Sequence, residues 1–430
     1  MLESSRQEKN FESLFAPFEK ILLQNKTFAV AVSGGSDSMA MCLIANEWAK
    51  KNSRMMVALT VNHQLRKSAG DEARIIGGWL EPYKINHYCL NWNAPKPKFG
   101  LQASARQARY DLMIKWCKEN NIFVLMIGHH LQDQVETFFL RAEQSSGTDG
   151  LASMNPLSTR NECSLLRPLL QIPKERLQNF LRERQQEWFE DPSNNDPKFR
   201  RTHVRYIVNQ LVQNGLPLEV ISNVIDQFGV LRQNFDDITN LFLRKAVKFS
   251  ALGYGTISYK LFTALPEVII QRILVHIALE FGGKIYPPRG KSLRRLIKLI
   301  KKQEKFFFSL GGCQFIGTDN CIIFFRDRRS LQSQDVASGD EVLWGNSIKI
   351  SICGPVGQIA KLAPLGKRGW LKIGRASDYD KPTNMPHTVH YSMPSLFDEN
   401  GVLHVPSINY YRPVDKINNL RIASVKFVFN

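Results

Sequence analysis

The chain has 430 residues, 43% hydrophobic and 22% charged, enough to bury a large core without disulfides or metals, and this composition excludes disordered and fibrous classes. No apolar run approaches the roughly 20 residues of a membrane-spanning helix, and residues 1–10 lack the apolar stretch of a secretory signal, so a cytoplasmic protein without a membrane partner is expected. Lys and Arg number 57 against 39 Asp and Glu, and a net charge of +18 favours a polyanion partner, nucleic acid first.

In chain order, Phe28–Val32, Met55–Val61 and Ile122–Ile127 read as short apolar strands, with Ile85–Trp92 a weaker fourth. Between them Ser38–Lys50, Ser68–Leu80 and Leu101–Glu119 have helical spacing. Apolar strands alternating with helices predict an α/β fold with a doubly wound, mostly parallel, Rossmann-like sheet over 1–215. From Tyr206 to about Leu310 the pattern reads as helical, giving a mostly helical segment over 216–330 that ends in two strands, Phe306–Phe308 and Cys321–Phe325. Residues 330–340 are small and polar, a linker by composition. Residues 340–430 alternate apolar stretches with Gly and Pro, as in a small β-rich module.

The sharpest local signal is Ser33-Gly34-Gly35-Ser36-Asp37-Ser38, directly after a strand and before a helix. Two glycines permit a tight turn and close approach to a ligand, and the helix start aims amides and a positive end at an anion. The three serines add hydroxyl donors. No lysine sits in the loop, so it is not the GxxxxGK[ST] type, and it better suits holding a pyrophosphate while the α-phosphorus is attacked. Asp37 would repel phosphate without Mg²⁺, which points to a metal–nucleotide complex. The plain alternative is a capped helix after a glycine turn.

Two more polar clusters follow predicted strands: Asn62-His63-Gln64-Leu65-Arg66, and Gly128-His129-His130-Leu131-Gln132-Asp133-Gln134-Val135-Glu136. On a helix from Leu131, Asp133 and Glu136 share a face. Each cluster alone reads as a buried histidine or a solvated helix start. Together they gather beyond the carboxyl ends of parallel strands, where open α/β sheets bind ligands. Farther on, residues 284–305 carry nine cations and one acid. A helix from about Ser292 would turn Leu293, Leu296, Ile297 and Ile300 inward and Arg294, Arg295 and Lys298 outward, as suits a phosphate backbone, or simply as a solvated basic face.

These motifs, with the run Leu101-Gln102-Ala103-Ser104-Ala105-Arg106-Gln107-Ala108-Arg109-Tyr110, resemble the N-type ATP-pyrophosphatase (PP-loop) superfamily and, within it, the tRNA(Ile)-lysidine synthetase family. Leu166-Arg167-Pro168-Leu169-Leu170 and the stretch Trp188–Asp196, continuing to Phe199, Arg200 and Arg205, are similar to further segments of that family. The likeness is dense over about 25–210, moderate to 325, and after 340 confined to Met393–Pro406. It implies ATP and Mg²⁺ as cofactors, and as partners free L-lysine and an isoleucine tRNA with a CAU anticodon, whose first anticodon cytidine becomes lysidine. No protein partner is implied beyond a homodimer.

By residue, Ser33, Gly34, Gly35, Ser36, Asp37, Ser38 and His63 are expected at ATP, with Asp37 on Mg²⁺. Asp37, Asp133 and Arg109 are expected to be catalytic, Glu136 and His129 to meet lysine, and Arg205, Arg294, Arg295 and Lys298 to meet tRNA. Which arginine of the 200–205 stretch acts is left open. Two other functions compete: tRNA thiolation by a related PP-loop enzyme, and non-catalytic RNA binding. Thiolation calls for reactive cysteines, often a CxxC pair, whereas the seven cysteines here form none. The acids Asp37, Asp133 and Glu136 speak against a decayed site.

Overall fold

The computed structural model describes residues 11–63, 69–93, 101–190, 200–250, 253–284, 287–345, 348–374, 387–412 and 419–427. Two compact units divide the chain, Met1–Gln233 and Asn234–Asn430.

In the first unit, helix α1 (Glu19–Gln24) precedes strand β1 (Thr27–Ala31), and then elements alternate: α2 (Ser36–Lys51), β2 (Met55–Asn62), α3 (Ala69–Leu80), β3 (Asn86–Asn91), α4 (Leu101–Glu119) and β4 (Val124–Ile127). There follow α5 (Leu131–Glu143), α6 (Thr148–Leu151), β5 (Leu157–Arg160), β6 (Cys163–Leu166), α7 (Lys174–Glu183) and α8 (Arg200–Gln213). The sheet order is β3-β2-β1-β4-β6-β5, parallel except for the β5–β6 hairpin.

Strand residues alternate between two buried layers. Phe28, Val30, Met56, Ala58, Val124 and Met126 face one core with α2 and α7, while Ala29, Val57, Leu59 and Leu125 face the other with Tyr110, Met113 and Ile114 of α4. Both faces are covered, which is why these strands read as unbroken apolar runs rather than alternating ones. The central helix α2 is buried nearly all round, from Met39 through Ala45, and so has little amphipathic pattern. The chain builds outward from β1 to β3 and then returns to place β4 on the other side of β1. The gap between the carboxyl ends of β1 and β4 is therefore the switch point of the sheet.

The long helix α9 (Leu218–Ala246) spans the division between the units. Strands β7 (Val247–Ser250) and β8 (Tyr254–Ser258) follow, then α10 (Tyr259–Thr263), α11 (Glu267–Glu280), α12 (Gly290–Lys302), β9 (Phe306–Leu310), β10 (Cys313–Gly317) and β11 (Cys321–Arg326). The helical reading of this stretch missed β7, β8 and β10. All three belong to an antiparallel sheet of order β7-β8-β11-β10-β9, in which two sets of hairpin-connected strands are joined by the long-range pairing of β8 with β11. Gly255 opposes Phe324 across two strands, where a Cβ would come within 2.2 Å of the ring. Helix α12 buries Leu293, Leu296, Ile297 and Ile300 against this sheet and α11, the inward set expected from its spacing.

The linker expected at 330–340 contains strand β12 (Gln334–Ala337), because Val336 is buried and pairs with Ala360. Strands β13 (Glu341–Trp344), β14 (Ile348–Cys353) and β15 (Ile359–Pro364) are followed by α13 (Gly366–Ile373), α14 (His387–His390), β16 (Pro394–Asp398), β17 (Gly401–Val405), β18 (Tyr410–Tyr411) and β19 (Arg421–Phe427). They form two antiparallel sheets, β12-β15-β16-β17-β18 and β13-β14-β19, around a core that includes Trp344, Ile350 and Leu362. Among the described residues no helix is long and apolar enough to cross a membrane.

Candidate active site

The turn after β1 depends on one glycine. Gly34 has φ +84°, a conformation L side chains avoid, and a Cβ there would lie 2.6 Å from Phe189 and 2.9 Å from Ile76. Its carbonyl accepts from the amide of Phe189 at 2.8 Å. Gly35 is extended, and its carbonyl accepts both the amide of Met39, at 3.0 Å, and the hydroxyl of Ser38, at 3.0 Å. Ser38 Oγ also accepts the amide of Ser33 at 3.1 Å and lies 3.2 Å from Ser33 Oγ. The loop is thus closed on itself. The amides of Ser36, Asp37 and Ser38 precede the first intrahelical bond and carry the positive end of α2.

Beyond β4, Gly128 lets the strand end pass against this helix start: a Cβ on it would lie 2.8 Å from the Asp37 carbonyl oxygen. This close pass brings the two motifs together. His130 Nε2 lies 3.4 Å from Asp37 Oδ2 and 3.6 Å from Asp133 Oδ2, and the His130 amide donates to Asp133 Oδ2 at 3.2 Å. Lys174, the first residue of α7, reaches within 3.8 Å of Asp37. Burial opposes charge on Asp37, but His130 and Lys174 outweigh it and hold its pKa below the ordinary carboxylate value. Burial likewise opposes charge on His130, and the hydrogen bond to Asp37 with the nearby Asp133 raises its pKa nonetheless. Asp133 is held low, against its burial, by His130, Arg201 and the hydrogen bond from the His130 amide. His129 is driven down by burial, against the pull of Asp133, and Arg106, Arg167 and Arg201 push it the same way, so it is neutral.

Helix α8 supplies a pair of guanidiniums. Arg201 donates to Asp133 Oδ1 at 2.8 Å and to Glu136 Oε2 at 2.7 Å, and Arg205 donates to Glu136 Oε1 at 2.7 Å. Glu136 is 2% exposed, with its carboxylate bracketed by these two cations. Arg200 instead turns outward to Glu143 at 2.7 Å. Of the three arginines left open by the motif, 201 and 205 face the acids. At the end of β2, Arg109 Nε donates to His63 Nε2 at 3.3 Å, and burial lowers the Arg109 pKa.

A family model described as a PP-loop domain matches residues 3–212. A tRNA(Ile)-lysidine synthase of Wolbachia pipientis wMel is 32% identical over 391 residues, covering 90% of each chain. The chain belongs to the tRNA(Ile)-lysidine synthase family. A second member, from the Wolbachia of Brugia malayi (strain TRS), is 31% identical over 408 residues, 93% of each chain. Among solved structures, the U34-tRNA thiolase NcsA from Methanococcus maripaludis matches with 18% identity and a TM-score of 0.45, over 53% of this chain and 80% of that chain.

In this tRNA(Ile)-lysidine synthase family member the structure gathers Ser33–Ser38, Asp37, His129, Asp133, Glu136 and Arg205 around the β1–β4 gap, with His63 and Arg109 paired at the neighbouring strand end. Glu136, expected to meet an amine, meets two guanidiniums. Arg205, expected at tRNA, donates to Glu136. Arg294, Arg295 and Lys298 lie exposed on α12 in the second unit. Gln64-Leu65-Arg66 and the Asp191–Asp196 loop lie outside the described residues. Sequence reasoning missed His130 as a functional group and Lys174 altogether, and left Arg201 among undecided candidates. Lys174 and Arg201 both stand in the first turn of a helix, where the helix dipole disfavours positive charge. That local conflict was readable in the sequence and marks a site where something else compensates.

Proposed function

We propose that this chain joins lysine to carbon 2 of the wobble cytidine in the CAU anticodon of an isoleucine tRNA. The O2 oxygen of the base attacks the α-phosphorus of ATP, pyrophosphate leaves, and the base is adenylated. The ε-nitrogen of lysine then forms the new bond at carbon 2, and AMP departs with the O2 oxygen. The observation that carries this reading is the pairing of a phosphate-type turn with a second acid across the β1–β4 gap, the two joined by His130.

Ser33, Gly34, Gly35, Ser36 and Ser38 would cradle the phosphates, His63 would stand at the nucleotide, and Arg109 would offer its guanidinium to phosphate oxygens. Among the described residues no three acidic, histidine or cysteine side chains are arranged to hold a metal alone. Mg²⁺ needs no such cage, since it is commonly held by one or two carboxylates plus phosphate oxygens, and Asp37 fits that role. When bound, the metal would neutralise phosphate charge. Asp133, kept ionised, would accept the proton that the lysine ε-ammonium must lose before attack; that group's ordinary pKa is ~10.4. Glu136 and neutral His129 are assigned to lysine. Glu136 already binds two cations, and the α-ammonium of lysine would take the place of one guanidinium. Arg205, with Arg294, Arg295 and Lys298 of α12, is assigned to tRNA phosphates. The exposed apolar positions Val220, Val224 and Leu231, on one face of α9, support a homodimer.

The test is lysine-dependent release of AMP in the presence of ATP and the tRNA transcript. AMP release that ignores lysine, or that requires a sulfur donor, would overturn the assignment in favour of thiolation.

A further inference from the structure

Cations stand at the amino ends of several helices in this protein, against the helix dipole, among them α7, α8 and α12. In α7 and α8 carboxylates compensate: Asp37 for Lys174, and Asp133, Glu136 and Glu143 for Arg201 and Arg200. At α12 the conflict is left standing. Arg289 precedes the helix, Lys291 and Arg294 lie in its first turns, no acid occupies its first turn, and among the described residues no carboxylate pairs with Lys284, Arg289, Lys291 or Arg294. A cavity of about 520 Å³ opens at this helix start, lined by Lys284, Pro287, Pro288, Arg289, Ser292 and Ser309 together with backbone at Gly283 and Gly311. Among the described residues its lining holds two cations, two hydroxyls and two prolines, and no acid.

We infer that this cavity is a seat for one unpaired nucleotide of the RNA substrate. A phosphate takes the ammonium of Lys284, the guanidinium of Arg289 and the amino end of α12, which together supply the missing negative charge. The Pro287 and Pro288 rings offer the apolar wall that a base lies against, and the volume is within the ~300–1,000 Å³ of small-ligand sites. An RNA strand is favoured over a free nucleotide because the positive surface does not stop at the cavity. It continues along the exposed face of the same helix through Arg294, Arg295 and Lys298, a track that a polyanion uses and a mononucleotide does not. Arg294 curls back to Gly290, so that its Nη1 would lie 3.5 Å from a Cβ placed there, and this joins track to seat. The identity of the RNA as tRNA rests on the proposed function; the seat itself rests on the cavity.

The experiment measures binding of the full-length protein to the isoleucine tRNA transcript over a salt series. Lys284→Gln/Arg289→Gln is expected to bind roughly tenfold more weakly and to lower the slope of log K against log salt by about one to two units. Ser292→Phe keeps both cations but fills the cavity, and is expected to weaken binding several-fold. Lys248→Gln/Lys361→Gln removes the same charge from exposed positions elsewhere in the second unit and should change affinity much less. Unchanged affinity and slope in the first variant, unchanged affinity in Ser292→Phe, or an equal loss in the charge control would each overturn the seat. Loss of AMP or pyrophosphate binding with tRNA binding intact would also overturn it, by assigning the cavity to a free nucleotide. A wild-type protein that binds tRNA but releases no lysine-dependent AMP would defeat the proposed function and leave the seat standing.

Discussion

The β1–β4 gap of the first unit and the α12 surface of the second handle positive charge in opposite ways. In the gap, Arg201, Arg205 and Lys174 each face a carboxylate, and Glu136 and Asp133 are largely removed from water. On α12, Arg294, Arg295 and Lys298 are exposed. Paired, desolvated charges have fixed geometry and individual roles. Exposed cations act by their sum, and salt screens them. Single substitutions should therefore be severe in the first region and graded in the second.

The largest expected effect is that of Asp37→Ala. Its carboxylate sits at the turn that would face the phosphates, and pyrophosphate release should fall by roughly 10²–10³-fold, as for loss of one well-placed electrostatic group. Near-normal ATP consumption would dissolve the contrast between the regions. Next, Asp133→Asn should lower the rate at saturating substrates by roughly 10²-fold or more, the range of a lost general base.

The same residue sets an acid-side signature. Its folded pKa is depressed, so its contribution to stability is complete above the unfolded value of ~3.9 and is lost as pH falls through the lower folded value. Acid unfolding of Asp133→Asn, followed by circular dichroism, should accordingly be less steep below about pH 4. His130 works the other way. Its raised pKa means its contribution is complete below ~6.5 and is lost as pH rises through the folded value, a slope that His130→Gln should lack.

Glu136→Gln leaves Arg201 and Arg205 facing a neutral amide in a buried position. We expect a stability loss of about 1–3 kcal/mol by thermal or denaturant unfolding, together with a higher lysine KM. Arg201→Ala sharpens this, because it frees one side of the Glu136 carboxylate. If lysine replaces a guanidinium there, its KM should fall; a KM that rises instead would make Arg201 a direct partner of lysine. Gly128→Ala tests the close pass of β4 on α2 and should cost about 1–3 kcal/mol, since the intruding Cβ meets backbone that cannot step aside.

The smallest effect belongs to Arg294→Gln/Arg295→Gln/Lys298→Gln. It should weaken tRNA binding and reduce the salt slope by roughly one unit per lost phosphate contact. An unchanged slope would reduce this helix to a solvated basic face.

Much of the first unit could be read from the chain alone, for local reasons. Strand runs buried on both faces leave unbroken apolar segments. A glycine turn between strand and helix has few other uses, and in the second unit α12 likewise shows its inward set by a simple 3.6-residue period. What the sequence withheld depends on tertiary pairing. The β7–β8 hairpin is joined to β9–β11 only through the long-range pairing of β8 with β11, and β12 looks like a polar linker until Val336 meets Ala360. At the site, the spacing of Asp133 and Glu136 placed both acids on one helical face, but nothing local could show that α8 would bring two guanidiniums to them. Spacing along a helix is set by covalent geometry, whereas the counter-ion of a buried charge is chosen by packing, and the tertiary structure alone decided which cations stand against Asp37, Asp133 and Glu136.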